Sequence, residues 1–377
     1  MKKKVVLGLS GGVDSAVALI VLQQQGYDVS AVFMRNWDSY VNDDILGNPT
    51  LDAEVCSQEQ DYQDAKSVAD KLEIKLKRID FIEEYWDFVF KYFLAEYEKG
   101  RTPNPDILCN TEIKFKAFLQ YALTLDATKI AMGHYARVKL IDGEHVLMRA
   151  KDKTKDQTYF LSQLSSEQLS RAIFPVGDLT KEKVREIARK YQLDVAEKKD
   201  STGICFIGER RFNEFLSNYI LTKKGPIKTL DGTYLKDHEG LFYYTIGQRK
   251  GLGIGGLKDY QQEPWFVVGK DLLTNTLYVA QGFHHHYLYS NSCTVKDVVF
   301  RGNRNLENRE FTALFRYRQQ DNEVKLKWLD ETTLLVSYPQ KVRAVTPGQA
   351  AAFYEGEICV GGGFIDQVYF DNQKRMY

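Results

Sequence analysis

The chain has 377 residues and equal numbers of acidic and basic side chains, 51 of each, so its formal net charge is zero. Hydrophobic residues make up 44% of the sequence and charged residues 27%, a balance that favours neither a disordered chain nor a membrane protein. The length allows two or three domains, each with its own core. Because there is no net positive charge, any surface that binds nucleic acid must be a local patch.

Neither the start of the sequence nor its cysteines indicates export. The apolar run in MKKKVVLGLS is too short for a signal peptide, and no apolar run approaches the length of a membrane span. The five cysteines are scattered, without a CxxC pair or zinc spacing. We therefore expect a cytoplasmic protein without membrane contact, in which each cysteine is either a core residue or a chemical group.

The sequence VVLGLSGGVDS, residues 5–15, predicts a buried strand, a glycine-rich turn and the start of a helix. Glycines in the turn let backbone N–H groups approach an anion, and the helix N-terminus adds partial positive charge. The turn lacks the lysine of a Walker loop. We interpret residues 8–15 as a phosphate-binding loop, called the phosphate loop below; the alternative is a turn without a ligand.

Strands and helices alternate after this loop, which predicts an α/β protein with a doubly wound parallel sheet. In such a sheet ligands bind at the carboxyl ends of the strands, where Ser10, Met34 and residues 133–134 fall. The predicted strands span residues 27–34, 75–80 and 129–136, and the predicted helices span residues 60–72, 83–98, 111–125 and 180–191.

The sequence RTPNPDILCN, residues 101–110, predicts a loop because it contains two prolines and two asparagines. A helix is predicted to begin directly after Cys109 and Asn110, and a helix N-terminus favours the thiolate form of a nearby cysteine. Cys109 is therefore a candidate nucleophile, with Asp106 as a candidate for proton transfer beside it. The alternative is a buried cysteine that packs as a small hydrophobic residue.

A second candidate thiol, Cys205, lies in KKDSTGICFIGERR, residues 198–211. Lysines and arginines close in sequence would stabilise a thiolate or persulfide anion at this position. The apolar neighbours Ile204 and Phe206 equally fit a core cysteine. The residues alone leave both interpretations open.

Two polar stretches are candidates for contact with nucleic acid. Residues 155–157 lie in a basic loop that could touch phosphates or be an ordinary solvated loop. The sequence RYR, residues 316–318, places an aromatic ring between two guanidinium groups, a combination suited to phosphates and unstacked bases. The alternative for RYR is a half-exposed strand.

From residue 225 the pattern changes to short strands separated by turns, which predicts a small central β-rich domain followed by a closed β-barrel or a sandwich. We expect domains at residues 1–210, 211–285 and 286–377. Three consecutive histidines, residues 284–286, would point to alternating sides of an extended chain and therefore do not indicate a metal site.

Six motifs, in this order, resemble those of the tRNA-specific 2-thiouridylase family, which belongs to the ATP pyrophosphatases with a PP-loop. The resemblance runs through nearly the whole chain and implies an adenine nucleotide alpha hydrolase-like first domain and a C-terminal β-barrel. It implies an enzyme that uses ATP with Mg²⁺ to adenylate the C2 oxygen of the wobble uridine in the tRNA anticodon. Sulfur would then be transferred from a cysteine persulfide, supplied by a donor protein such as a cysteine desulfurase or a relay protein. The motifs are SGGVDS, NPDILCN, GHYAR, KDQTYFL, GICFIGERRF and YTIGQRKGLG.

The resemblance also implies roles for single residues. Cys205 would carry the persulfide, Cys109 would attack it and leave a transient disulfide between the two, and Asp106 would assist proton transfer. Asn104, Pro105 and Asp106 would meet the flipped-out target base. The implied ATP-binding residues are Gly8, Leu9, Ser10, Gly11, Gly12, Val13, Asp14, Ser15, Met34 and Gly133. The implied tRNA-binding residues are His134, Lys155, Asp156, Gln157, Arg316, Tyr317 and Gln349.

Two other functions stay open at this point. One is another adenylating enzyme of the same superfamily, such as an amidating synthetase, which would need an ammonia source but no pair of loop cysteines. The other is a tRNA-binding protein that holds ATP as a structural ligand. Turnover that persists in a Cys205→Ser variant would favour either of them, and pyrophosphate release that depends on tRNA would separate an enzyme from a binding protein.

Overall fold

The computed structural model describes residues 3–49, 51, 57–200, 207, 210–255 and 262–377. Cys205, the predicted persulfide carrier, lies outside these residues, as does Cys56. Within the described ranges, no helix is both long and apolar enough to span a bilayer.

The N-terminal half contains the strands β1 (Lys4–Gly8), β2 (Asp28–Arg35), β3 (Leu76–Asp80), β4 (Lys129–Ala131), β5 (Arg137–Ile141), β6 (Glu144–Met148) and β7 (Ala172–Ile173). Five of these described strands form a parallel sheet in the order β3-β2-β1-β4-β7. The chain moves outward from β1 to one edge and later to the other. This order confirms the predicted doubly wound sheet and places its switch point between β1 and β4.

Helices cover both faces of this sheet, because alternate strand residues point to opposite sides. Val6 and Val32 face one apolar cluster, whereas Leu7 and Ala31 face a second one that includes the first helix. The helices are α1 (Val13–Gln24), α2 (Ser57–Lys71), α3 (Ile82–Tyr85), α4 (Lys91–Glu98), α5 (Pro105–Leu108), α6 (Phe118–Thr124), α7 (Ser166–Arg171), α8 (Lys181–Lys190) and α9 (Phe212–Ser217), with π-helical stretches at Trp86–Phe90 and Cys109–Ala117 and 3-10 turns at Thr158–Leu161, Asp194–Glu197, Leu241–Tyr243 and His286–Leu288.

The helical segment around Cys109 begins earlier than predicted. Asn104 accepts a hydrogen bond from the Asp106 N–H at 3.1 Å, and Pro105 occupies the first helical position. From there α5, the π-helical stretch and α6 form one continuous run. The prediction of a helix that starts after Asn110 is therefore wrong, and Cys109 lies beyond the first turn, where the effect of the helix dipole has fallen off.

The central part contains the strands β8 (Gly225–Thr229), β9 (Tyr234–His238), β10 (Trp265–Asp271) and β11 (Thr276–Gln281). These described strands form one sheet in the order β10-β11-β8-β9. Ile227, Val267 and Val279 pack in its core, which is separate from the clusters of the N-terminal half. The predicted β-rich character of this part is confirmed.

The C-terminal strands are β12 (Tyr289–Phe300), β13 (Phe311–Leu314), β14 (Asn322–Trp328), β15 (Leu334–Arg343), β16 (Ala350–Glu355), β17 (Ile358–Phe370) and β18 (Gln373–Lys374). Among these described strands, β12 to β17 close into a six-stranded barrel, because β12 pairs with β15 on one side and with β17 on the other. The predicted barrel is thereby confirmed. Residues 316–318 follow β13 in a turn, with Arg318 at a φ of +61°, so RYR does not lie in the half-exposed strand that was its alternative.

The hairpin of β5 and β6 was not predicted, and it connects the first and last parts of the chain. It precedes β7 in sequence, yet its strand β6 pairs with β17 of the barrel, with Leu147 opposite Cys359. The buried Arg301, just after β12, donates to the Ser162 carbonyl at 2.8 Å. The barrel is therefore joined to the N-terminal half by a shared sheet and by a buried cation.

Candidate active site

The phosphate loop follows β1, as predicted, and its own side chains hold its shape. Ser15 Oγ donates to the Gly12 carbonyl at 2.9 Å and accepts from the Ser10 N–H at 3.2 Å. Gly11 has a φ of +76°, and a Cβ added there would lie 2.2 Å from the Asp61 carbonyl oxygen. Only glycine allows both this backbone conformation and this close approach to α2.

The other predicted ATP-binding residues adjoin the phosphate loop at the carboxyl edge of the sheet. A Cβ added to Gly8 would lie 3.1 Å from Met34 Cε, and one added to Gly133 would lie 2.7 Å from a backbone nitrogen of the loop. These two glycines let the ends of β1, β2 and β4 pack closely. Leu9 and Val13 are buried behind the loop. The structure thus brings the predicted ATP-binding residues together.

A lysine that the sequence analysis did not identify reaches this loop from α8. Lys181 Nζ lies 2.7 and 2.8 Å from the two carboxylate oxygens of Asp14. Tyr135 donates its hydroxyl to the same carboxylate at 2.8 Å. Only 12% of the Lys181 side chain is exposed, so its ammonium is held beside the loop. The site therefore has a lysine next to its phosphate loop, although the loop sequence itself contains none.

A second carboxylate, Asp200, continues this charged cluster. It lies 2.7 Å from Lys181, 2.8 Å from Lys155 and 3.6 Å from Arg185. Burial alone would raise the pKa of Asp200, but the hydrogen bonds from Lys155 and Lys181 outweigh it and lower the pKa to about 2. Asp200 is therefore ionised at neutral pH. Lys155, a predicted tRNA contact, lies in this cluster near the phosphate loop.

Lys198, one of the cations close to Cys205 in sequence, contacts the phosphate loop. Its Nζ donates to the Gly11 carbonyl at 3.2 Å and pairs with Asp61 at 2.7 Å and Asp64 at 2.5 Å. The ammonium therefore ties the phosphate loop to α2.

The predicted persulfide carrier lies outside the described residues, but the chain is fixed on both sides of it. Lys198 contacts the phosphate loop before it, and Arg210 pairs with Asp44 at 2.9 Å after it. The side chains of this second pair are 4% and 0% exposed, so breaking it would leave an uncompensated buried charge. The described residues before and after Cys205 are thus held at the phosphate loop and at the loop that follows β2, respectively.

Cys109 is fully buried in the cluster that also contains Met34, Ile107 and Met132. Asp106 precedes it by three residues, a spacing that puts the two side chains on the same face of a helix. The π-helical stretch that begins at Cys109 is a geometry often found at functional sites. A core cysteine and a nucleophile shielded from water are both fully buried, so burial alone does not distinguish the two roles of Cys109.

Two aromatic residues lie between the RYR turn and residues 104–106. These residues are the predicted contact of the target base and are called the target-base loop below, although Pro105 and Asp106 already belong to α5. Tyr159 lies against this loop: burial raises the pKa of its hydroxyl, and so does the nearby charge of Asp106. The next residue, Phe160, has its ring 4.5 Å from the ring of Tyr317. Tyr317 of the barrel thus approaches the target-base loop, as expected if both contact one RNA.

Three of the predicted tRNA-binding side chains are engaged inside the protein. Asp156 accepts from the Thr158 hydroxyl at 2.6 Å, and Gln157 Oε1 accepts from the Tyr135 N–H at 2.9 Å. Burial lowers the pKa of His134 well below its ordinary value, so its imidazole is neutral at pH 7. Contact of these residues with tRNA stays a prediction, while Gln157 holds the backbone of Tyr135, whose hydroxyl donates to Asp14.

The two remaining tRNA candidates lie on the barrel and differ in exposure. Arg316 is exposed in the turn after β13, where the neighbouring Arg318 guanidinium lies 5.3 Å from the centre of the Tyr317 ring. Gln349 is only partly exposed, and its Nε2 donates to the Thr102 carbonyl at 2.6 Å. Arg316 is therefore open to a phosphate, whereas Gln349 contacts the chain just before the target-base loop.

The parallel sheet with its phosphate loop, the small β sheet and the closed barrel define a three-part protein of the nucleotide-using HUP class. Family models match these parts in turn, described as a tRNA methyl transferase HUP domain over residues 3–209, a tRNA methyl transferase PRC-barrel domain over residues 213–281 and an aminomethyltransferase beta-barrel domain over residues 290–365. The chain belongs to the family of tRNA-specific 2-thiouridylases, as the motifs predicted.

The assignment to this family rests on relatives that match this chain along nearly their whole length. The tRNA-specific 2-thiouridylase MnmA of Acholeplasma laidlawii is 62% identical over 377 residues, 100% of both chains. Its namesake from Onion yellows phytoplasma is 57% identical over 99% of each chain, and one from Streptococcus thermophilus is 53% identical over 100% of this chain and 98% of the relative. Among solved structures, NMN synthetase from Francisella tularensis covers 53% of this chain and 67% of its own at 18% identity, and its TM-score of 0.33 adds nothing to the assignment.

Proposed function

We propose that this protein is a tRNA 2-thiouridylase, an enzyme that uses ATP to replace the C2 oxygen of a tRNA uridine with sulfur. The observation that carries the proposal is the identity of 52–62% with relatives of that name over nearly the whole of both chains. The phosphate loop beside Lys181 supports ATP as the activating substrate. The wobble position of the uridine is taken from the family resemblance, as is the order of the two chemical steps below.

Adenylation is the first step, and the residues around the phosphate loop suit it. The loop N–H groups and Lys181 would hold the two phosphates that leave as pyrophosphate, while the uridine C2 oxygen becomes bonded to the phosphorus of AMP. Asp14 fits Mg²⁺, because this ion takes one or two carboxylates and completes its shell with phosphate oxygens and water. When bound, the ion would neutralise charge on the phosphates. Lys181 would then turn from Asp14 towards the phosphates.

Sulfur transfer is the second step. The Cys109 thiolate, its proton taken by Asp106, would attack the Cys205 sulfur of the persulfide and form a disulfide, which releases the terminal sulfur as hydrosulfide. The hydrosulfide would attack C2, and the oxygen would leave with AMP. A thiol reductant must then supply two electrons to reopen the disulfide before the next turnover. The position of Cys109, three residues after Asp106 in the same helical run, supports its part in this step.

Two partners follow from this chemistry. The anticodon region of tRNA would lie between the target-base loop and the RYR turn, which Tyr159 and Phe160 bring close to each other. A persulfide-carrying protein, such as a cysteine desulfurase or a relay protein, would reload Cys205. The tRNA substrate supports the expected cytoplasmic location.

The deciding experiment is nucleoside mass analysis of unmodified tRNA after incubation with the protein, ATP, Mg²⁺ and a persulfide donor. We expect 2-thiouridine with the wild-type protein and none with Cys205→Ser. Thiolation by both proteins would overturn the assignment of Cys205. Absence of both thiolation and tRNA-dependent pyrophosphate release from the wild type would overturn the function and favour a tRNA-binding protein with structural ATP.

Removal of the exposed Arg316 guanidinium should weaken tRNA binding through the loss of one phosphate contact. We expect Arg316→Ala to reduce the slope of log K against log salt by about one unit, because each phosphate contact releases about one counterion. The measurement is tRNA affinity at four or five salt concentrations. Lys325→Ala, which removes an exposed charge from β14, is the matched control and should leave the slope unchanged. Equal slopes in all three proteins would remove Arg316 from the tRNA surface.

A further inference from the structure

Residues 100–102, which we call the joint, connect the end of α4 to the segment before the target-base loop and are held from two other parts of the chain. Gly100 ends the helix, with a φ of +70° and an N–H that donates to the Tyr97 carbonyl at 2.8 Å. Its own carbonyl accepts from Lys270 Nζ at 2.8 Å. Lys270 lies on β10 of the central sheet and is 8% exposed, so the central sheet reaches the joint through a buried amine.

The barrel holds the same segment from the other side. The Thr102 N–H donates to the Pro347 carbonyl at 3.0 Å, and Gln349 Nε2 donates to the Thr102 carbonyl at 2.6 Å. Arg101 pairs with Asp366 of β17 at 2.5 Å. Both backbone groups of Thr102 are therefore hydrogen-bonded to the barrel, the N–H to a backbone carbonyl and the carbonyl to the Gln349 side chain.

A second contact from the central part completes the joint. The hydroxyl oxygens of Thr102 and Thr245 lie 3.2 Å apart. Gly348 of the barrel packs so closely that a Cβ added there would lie 2.9 Å from Arg101 Cβ and 3.0 Å from the Thr102 N. The joint thus fills the space between the central part and the barrel, with no room for an added methyl group.

The link between the joint and the target-base loop is short and stiff. Only Pro103 lies between Thr102 and Asn104, and a proline ring fixes its own φ near −65° and restricts the residue before it. Asn104 in turn caps the helical run that contains Cys109. A displacement of Thr102 is therefore passed on to the target-base loop and to the helical run behind it.

We propose that the joint sets the position of the target-base loop, and that Lys270 of the central sheet and Gln349 of the barrel are positioning residues for the thiolation reaction. The proposal rests on the proposed function, because it assigns the target base to residues 104–106. It gives Gln349 a role through Thr102 and not through a direct contact with tRNA. It also gives the central sheet a part in the chemistry.

The physical reason is the strict geometry of transfer to an extruded base. A misplacement of about 1 Å at the reacting atoms costs about 10²-fold in rate, whereas binding of the whole tRNA is spread over many contacts. Loss of a positioning residue should therefore lower kcat and leave the tRNA KM unchanged. Loss of a direct contact would raise KM instead.

The sharpest test adds one methyl group to the joint. Gly348→Ala places it against Thr102, and Gly356→Ala is the matched control, since both glycines lie in barrel turns with positive φ values, +88° and +57°, but a Cβ on Gly356 has no neighbour within 4 Å. We expect kcat for thiolation to fall about tenfold or more with Gly348→Ala and less than about twofold with Gly356→Ala. Both variants should keep the wild-type tRNA KM.

A second variant keeps the test decisive if Gly348→Ala folds poorly. Lys270→Met keeps the approximate length of the side chain but removes the donor to the Gly100 carbonyl, and the melting temperature of this variant is measured beside that of the wild type. Lys236→Met is its control, because Lys236 donates to the Gly253 carbonyl from an exposed position in the same sheet. We expect a fall in kcat of about tenfold for Lys270→Met and none for Lys236→Met.

The outcomes separate this proposal from the one on which it rests. If the wild type does not thiolate tRNA, the proposed function fails. If the wild type is active and each variant matches its control in kcat, the joint is merely structural. A rise in tRNA KM at unchanged kcat for Gln349→Met would return Gln349 to the tRNA surface and overturn its positioning role.

Discussion

Replacement of Cys109 by serine is expected to stop tRNA thiolation while ATP-dependent pyrophosphate release continues. A serine hydroxyl is not ionised near neutral pH and cannot form a disulfide, so it can neither attack a persulfide nor release its sulfur. We expect the rate of 2-thiouridine formation to fall at least about 10³-fold. The measurement pairs nucleoside mass analysis with a pyrophosphate assay in the same reaction, so that adenylation and sulfur transfer are followed separately.

The matched control is Cys293→Ser. Cys293 is also fully buried, but in the barrel core, where burial raises the pKa of its thiol far above the usual value. This variant places the same hydroxyl in a similarly apolar position and should keep both activities. Retained thiolation by Cys109→Ser would identify Cys109 as a core residue. Loss of both activities together with a lower melting temperature would indicate damage to packing.

Removal of the lysine beside the phosphate loop should have the second large effect, on the first step. We expect Lys181→Met to reduce tRNA-dependent pyrophosphate release about 10²-fold or more, because the phosphates would lose a largely buried ammonium held 2.7 Å from Asp14. Thiolation should fall in parallel, since no adenylated uridine accumulates. Single-turnover pyrophosphate release at saturating ATP separates this effect from weaker ATP binding.

Lys183→Met tests whether charge on α8 alone explains such a loss. Lys183 lies two residues further along the helix, half exposed, and pairs with Glu186 at 2.7 Å. Its removal changes the net charge by the same amount but leaves the phosphate loop untouched. We therefore expect Lys183→Met to release pyrophosphate at the wild-type rate. Equal losses in the two variants would show that the loop does not depend on Lys181 in particular.

The phosphate loop could be predicted from its own sequence because the contacts that shape it are local. Ser10, Gly12 and Ser15 bond to one another within five residues, and the strand and helix on either side follow simple apolar patterns. Lys181 could not be predicted, since 167 positions separate it from Asp14 and its approach depends on how α8 packs against α1. The sequence predicted the helix but not the side chain that enters the site.

Around Cys109 the error is of another kind: the sequence predicted the candidate side chain, but the predicted start of the helix is wrong. Asn104 and Pro105 have a high turn propensity, and both were assigned to a loop, although the same two residues are a good helix start when an apolar run follows. Here Ile107 and Ile113 are buried in the core, and that burial decided in favour of the helix. The role proposed for Cys109 stays a prediction, and it is unaffected by this error because it depends on the order of motifs and not on the exact helix boundary.

The pairing of β6 with β17 has a consequence for synthesis on the ribosome. About two hundred residues must be made after Leu147 before its partner Cys359 exists, which takes about 10 to 40 s at ordinary elongation rates. During that time the outer edge of the hairpin is unpaired and open to other strands. The last long strand of the chain therefore completes two structures at once, the barrel and the hairpin of the catalytic half. A chain that stops before β17 leaves both unfinished, so every chain with a complete catalytic half has been translated at least through β17.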